Sequence, residues 1–143
     1  MIPKYNIKDK VLLFIIRANS LNWRYVYDEE TKNKKIFYYV KVSYLVNCII
    51  IESINIKINE ILYEAYSEFY KKKIWCNEDE IIPFTIEAIQ EKLKDIELVY
   101  FLGKGKSYVT FEIFPFETGQ LGLKPKEEII DIILKLEPID LGK

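Results

Sequence analysis

Apolar and polar residues alternate with a period of two in two neighbouring stretches of the first half of the chain. Trp23–Asp28 alternates as a half-buried strand does, and Ile36–Val46 places Tyr and Val side chains on one side, with Lys41, Ser43 and the following Asn47 on the other. Residues 29–34 between them are mostly charged and predict a loop. Because β-branched and aromatic residues dominate both stretches, the pattern predicts an antiparallel hairpin.

Two further apolar stretches of this half leave the type of element open. Val11–Ile16 is an uninterrupted apolar run that fits either a buried strand or a buried helix. A strand is slightly favoured, because residues 18–22 then form a polar connection into the predicted hairpin. Residues 48–58 are also ambiguous, although isoleucines alternate with polar residues from position 54 to position 58, as in a strand.

The clearest pair of strands lies in the second half, over Glu97–Phe114. Two apolar segments rich in aromatic and β-branched residues flank the sequence Gly-Lys-Gly-Lys at positions 103–106. Strand-forming segments on both sides of a glycine-rich turn predict a hairpin at the centre of the second-half sheet.

Helical periodicity appears in three segments. Residues 59–75 carry apolar side chains every fourth position, with Asn59 as an N-cap and lysines at the C-terminal end. A second helix is predicted over 83–94, beginning at Pro83, and a third over 125–136, apolar around most of its circumference. Hairpins combined with about three helices predict one α+β domain spanning residues 1–143.

The composition limits the possible chemistry. The 143 residues include no histidine, which excludes Ser-His and Cys-His nucleophile pairs and every zinc site that contains histidine. Cys48 and Cys76 match no metal-binding spacing. No signal peptide, cysteine framework or membrane-spanning segment is recognised, so we expect a cytoplasmic protein. We predict no enzymatic activity, no cofactor and no metal ion.

Charge is distributed unevenly along the chain. Residues 1–73 have a net charge of +5 and residues 74–143 a net charge of −6, within a total of −1. A basic half and an acidic half produce a directional field that steers a charged partner. The alternative is that the two halves pack against each other and neutralise the field internally.

Residues 104–111, KGKSYVTF, carry the basic residue, glycine, later aromatics and valine of the sheet motif of RNA-recognition-motif domains. The predicted elements from residue 73 onward also resemble that family's ferredoxin-like βαββαβ plan. This resemblance implies that Tyr108 stacks on a base. Three features differ from the family: Lys106 replaces the first stacking aromatic, the loop over residues 115–124 is out of place, and the acidic charge of this half repels phosphate.

The predicted helix 59–75 offers a second basic and aromatic surface, which is either a core stripe with a solvated end or a contact for nucleic acid or an acidic partner. We carry single-stranded nucleic-acid binding as the alternative function. The residues that it would use are Tyr63, Tyr66, Tyr70, Lys71, Lys72, Lys73, Lys104, Lys106 and Tyr108.

The leading hypothesis is a small inhibitor of the immunity or antitoxin type, which binds another protein, such as a nuclease or other toxin, and occludes its basic active site. Acidic residues would steer association, and aromatic anchors would supply affinity. The acidic set around the second predicted helix lacks a motif that would organise its oxygens around a metal ion. The predicted partner contacts are Trp75, Glu78, Asp79, Glu80, Glu87 and Glu91.

Overall fold

The computed structural model describes residues 1–96, 98–113 and 123–141. About 55% of these residues lie in strands and 15% in helices. The predicted α+β fold with about three helices is therefore wrong: the protein is mostly antiparallel sheet, with two α-helices in its described part.

Nine strands form two antiparallel sheets in the described residues. In chain order the elements are β1 (Lys10–Asp28), β2 (Asn33–Ile50), β3 (Ser53–Ile56), β4 (Ile61–Ser67), β5 (Lys72–Asn77), a short 3-10 helix (Glu78–Glu80), β6 (Ile81–Pro83), α1 (Ile86–Lys92), β7 (Leu98–Lys104), β8 (Tyr108–Ile113), β9 (Leu123–Pro125) and α2 (Lys126–Leu134). The larger sheet has the strand order β6-β1-β2-β8-β7-β9, and the smaller has the order β3-β4-β5.

The larger sheet is covered on both faces near its centre. Leu12, Phe14 and Val46 belong to a buried cluster with Ile89 of α1 and Ile133 of α2. The opposite face contributes to a second cluster, in which β1 and β2 meet buried side chains of the small sheet: Leu13, Leu45, Tyr63, Ala65 and Cys76. Burial on both faces explains why Val11–Phe14 is continuously apolar, and the favoured strand over Val11–Ile16 is confirmed.

The predicted hairpin over residues 23–46 is confirmed and is much longer than predicted. β1 continues from Lys10 to Asp28, so the polar connection predicted at residues 18–22 is wrong. A bulge at Arg17 shifts the register, and pairing with β2 then resumes from Ala18 to Asp28. Polar side chains are tolerated in this strand because that part of it is exposed to solvent.

The helix predicted over residues 59–75 is wrong, because the segment folds into the β4–β5 hairpin. In β4 every second side chain is buried, from Ile61 to Ser67. A repeat of four residues satisfies both a helix and a strand with a period of two, so Ile61 and Ala65 fit either structure. The turn places Lys71 at a φ of 58°, a left-handed conformation that interrupts regular secondary structure.

The other predicted helices are confirmed with shorter bounds. α1 begins after Thr85, whose side chain accepts a hydrogen bond from the Ala88 N–H (3.2 Å), while Pro83 belongs to β6. α2 follows Pro125. The ambiguous residues 48–58 divide between the end of β2 and β3.

The hairpin predicted over Glu97–Phe114 is confirmed as β7 and β8, although its two terminal residues lie outside the described part. Most of the predicted loop 115–124 also lies outside it. The ferredoxin-like plan is wrong because its proposed first strand, residues 73–76, belongs to β5 in the small sheet, while β7 and β8 belong to the large one.

The β7–β8 turn packs closely against neighbouring side chains at Gly105, so we expect this position to require a glycine. A Cβ atom there would lie 2.8 Å from Glu68 Oε1 and closer still to the Tyr108 ring, whereas one at Gly103 would meet nothing within 4 Å. We expect Gly105→Ala to destabilise the protein by about 1–3 kcal/mol, and Gly103→Ala by less than about 0.5 kcal/mol. Urea unfolding of both variants checks this, and equal losses would contradict it.

Candidate interaction surface

The distal part of the β1–β2 hairpin, residues 18–41, extends away from the rest of the sheet and is called the arm here. Pairing of β1 with β6 ends at Leu13, and pairing of β2 with β8 begins at Val42. Within the described residues, the strands of the arm therefore pair only with each other. Residues 18–28 of β1 and residues 33–41 of β2 give the arm a length of roughly 30–35 Å.

One face of the arm is a continuous row of exposed hydrophobic side chains. Cross-strand partners share a face of a sheet, so the register places Leu21 beside Val40, Trp23 beside Tyr38, and Tyr25 beside Ile36. Together with Tyr27, these seven side chains are between 49% and 71% exposed. Lys34, opposite Tyr27, brings a positive charge to the tip end of this face.

The other face of the arm is more polar. It carries Asn22, Arg24, Val26 and Asp28 on β1, opposite Tyr39, Phe37, Lys35 and Asn33 on β2. Lys35 forms an ion pair with Asp28 (2.5 Å) and holds the pKa of that carboxyl group below its usual value. The contrast between the faces makes the arm amphipathic.

The size of the apolar face distinguishes it from ordinary surface exposure. An aromatic side chain presents about 150–250 Å² when fully exposed, so seven side chains that are half exposed or more present roughly 700 Å². Monomeric proteins rarely expose contiguous apolar patches beyond about 300–600 Å², and larger ones mark interaction sites. A two-stranded ribbon is also only marginally stable alone in water, which favours a covered arm.

Two clefts lie where the arm joins the body. The base cleft has a volume of about 470 Å³ and is lined by Phe14, Ile15, Ile16, Tyr44, Asp79, Glu80 and Lys92. The side cleft, of about 280 Å³, lies against the small sheet and is lined by Leu13, Ile15, Tyr70, Lys72, Ile74, Trp75, Cys76 and Glu80. Ile16 pairs with Tyr44, and Val40 is on the same side of β2 as Tyr44. The apolar face of the arm is therefore continuous with the base cleft.

The predicted partner contacts are divided between these clefts and the surrounding surface. Asp79 and Glu80 line the base cleft, and Trp75 and Glu80 line the side cleft. Glu87 and Glu91 are exposed on α1, where Glu91 pairs with Lys94 (2.9 Å), and they line neither cleft. The structure thus brings three of the six predicted residues together at the base of the arm.

Glu78, another predicted contact, is held by internal hydrogen bonds. Its carboxylate accepts hydrogen bonds from the Tyr63 hydroxyl and from the Lys4 N–H (2.8 Å). These two hydrogen bonds lower the pKa of Glu78. The pKa of Tyr63 is raised, mainly by burial and next by its hydrogen bond to Glu78. These hydrogen bonds join the N-terminal segment to the small sheet, and they leave Glu78 less available to a partner.

The residues predicted to bind nucleic acid lie mainly on the neighbouring β4–β5 and β7–β8 hairpins, whose turns are joined where Glu68 accepts a hydrogen bond from the Ser107 N–H (2.8 Å). Tyr63 is fully buried, Tyr66 is half-buried, and the ring of Tyr108 packs edge-on against Phe69 at 5.2 Å between centroids. Tyr70 and the lysines are exposed, with Lys73 paired to Glu52 (3.3 Å) and Lys106 near Glu137 (3.9 Å). The positions concerned are Tyr63, Tyr66, Tyr70, Lys71, Lys72, Lys73, Lys104, Lys106 and Tyr108.

The two cysteine thiols are buried, and the described residues show no cluster of side chains suited to a metal ion. Burial raises the pKa of both Cys48 and Cys76 to about 12, so these free thiols stay protonated at neutral pH. In the described ranges, no group of three or more His, Cys, Asp or Glu side chains is placed to hold a metal ion. The same ranges contain no helix with the length and apolarity needed to cross a bilayer.

The apolar face of the arm was missed by sequence reasoning. Period-two alternation identified the apolar side of Trp23–Asp28 and assigned that side to the core. No local signal in the sequence shows that β1 runs from Lys10 to Asp28, well beyond Leu13, where its pairing with β6 ends.

Comparison with protein-family models, curated proteins and solved structures found no match to this chain.

Proposed function

We propose that this protein is a binding subunit that acts by protein–protein contact through the apolar face of the arm. The observation that carries the proposal is the exposed row of seven hydrophobic side chains on a ribbon that no other described strand supports. Trp and Tyr are the residues that most often anchor protein interfaces. Phosphate attraction requires cations, and this face has Lys34 at one end only, which favours a protein partner over nucleic acid.

A cytoplasmic inhibitor of the immunity or antitoxin type is a more specific form of this proposal. Such a protein would insert the arm, or the acidic rim of the base cleft, into the active site of its target. Single-stranded nucleic-acid binding has weaker support, because Tyr63 is buried and the ring of Tyr108 packs against Phe69. Stacking on a base requires an open aromatic face.

Site-specific photo-crosslinking tests the proposal in cells that naturally express the protein. A benzophenone side chain at Tyr25 lies on the apolar face, and the same group at Glu87 lies on exposed α1 as a matched control. We expect protein adducts from position 25 and few from position 87. Nucleic-acid adducts at position 25, no adduct there, or adducts from position 87 alone would contradict the proposal.

A further inference from the structure

We infer that the partner of the apolar face is the same face of a second copy of this chain, packed antiparallel to the first. This inference rests on the proposed function and identifies the partner of that surface. The resulting contact has two-fold symmetry, in which one patch meets its own copy.

The apolar face has the area that a stable dimer interface requires. Roughly 700 Å² on each chain gives about 1,400 Å² for two, within the range of about 1,200–2,000 Å² that stable interfaces bury. A second arm is also a surface of the right shape, because two twisted ribbons pack face to face about 10 Å apart with their side chains interleaved. One copy is therefore sufficient to cover the face along its whole length.

Charged side chains lie at both ends of the apolar face. At the tip, the face ends with Lys34, while the turn at residues 29–32 has a net charge of −1. At the base, the face runs into the cleft lined by the carboxylates of Asp79 and Glu80 and by the cation of Lys92. Antiparallel packing brings Lys34 of each arm to the two carboxylates in the cleft of the other, twice in each dimer. Parallel packing would bring Lys34 of one copy beside Lys34 of the other.

These end contacts fix the register. If Tyr27 and Lys34 of one copy lie over Ile16 and Tyr44 of the other, the midpoint on β2 is Tyr39, whose partner on β1 is Asn22. The two-fold axis then passes at the level of that pair.

The nearest side chains on the apolar face are Leu21 and Trp23 on β1, and Val40 and Tyr38 on β2. In this register Tyr38 of one chain lies over Val40 of the other, and Trp23 lies over Leu21 of the other. Tyr25 and Ile36 pack over the Val42 region of the second chain.

The first test is the mass of the purified full-length chain, measured by light scattering and sedimentation. We expect a dimer for the wild type and a monomer for Trp23→Ser/Tyr38→Ser, whose dimer dissociation constant should rise roughly 100-fold or more. Val26→Ser, on the opposite face of the same strand, is the control and should remain dimeric. Unchanged far-ultraviolet circular dichroism shows that the double variant retains its fold.

The second test is the geometry of the dimer, measured as distances between spin labels. Ser20→Cys lies on the polar face near the predicted axis, and Thr31→Cys lies at the tip. Antiparallel packing predicts a separation of about 20–30 Å between the labels at position 20 and about 60 Å between those at position 31. The native thiols are buried, so labelling is directed to the introduced cysteine.

A wild type that stays monomeric up to about 100 μM, a double variant that still dimerises, or short distances at both labels would overturn the inference. If the wild type is monomeric and position 25 crosslinks to a different protein, the proposed function stands. Only the second copy is then removed as the partner. Absence of any crosslink would remove both.

Discussion

Replacing residues 20–41 with Asn-Gly is expected to abolish assembly through the arm while leaving the rest of the protein folded. The replacement joins Asn19 to Val42, which are cross-strand partners, through a two-residue turn suited to a hairpin. No side chain between Ile15 and Val42 belongs to the buried core of the described residues. The shortened chain therefore keeps both buried clusters, and it loses the ribbon together with the ion pair between Lys41 and Glu112.

Two measurements separate these effects. Urea unfolding of the shortened chain should give a free energy about 1–3 kcal/mol below that of the monomeric Trp23→Ser/Tyr38→Ser variant, because the largely buried carboxylate of Glu112 loses its ion pair with Lys41 (3.2 Å). Light scattering should give a monomer. A chain that fails to fold would show that the arm is needed for the core, and a chain that still assembles would place the interface elsewhere.

The arm illustrates how far the sequence of a strand predicts its surroundings. Alternation between Trp23 and Asp28 correctly identified a strand and its apolar side. It carried no information about what covers that side, because coverage depends on where β6 and β8 end. Those ends are set by short segments far away in the chain, and local periodicity does not encode them.

The acidic residues show the same division between local and distant information. A capped 3-10 helix at Glu78–Glu80 follows from the reciprocal bonds of Asn77 and Glu80, a local capping box. That Glu78 is held by Tyr63 and Lys4 depends on contacts across 15 and 74 positions of sequence. The charge asymmetry was visible in the sequence, whereas the identity of the carboxylates left free to meet a partner was not.

A single substitution at Asn47 is expected to cost much of the stability of the protein. Its side chain is fully buried and joins three segments. The amide nitrogen donates to the carbonyl oxygens of Ser107 (3.2 Å) and Cys48 (3.1 Å), and the amide oxygen accepts from the Ser67 hydroxyl (2.6 Å). Ser67 in turn accepts from the Tyr70 N–H (3.1 Å). The network thus ties β2 to the β4–β5 and β7–β8 turns.

We expect Asn47→Ala to reduce the free energy of unfolding by about 3–5 kcal/mol, because a cavity is added to buried groups left without partners. Asn22→Ala, in the exposed arm, removes bonds to Ser20 alone and should cost less than about 1 kcal/mol. Urea unfolding measures both. Ser67→Ala, combined with Asn47→Ala in a double-mutant cycle, should show a coupling of about 1 kcal/mol or more. Additive losses, or equal losses for the two asparagines, would show that the network does not act as a unit.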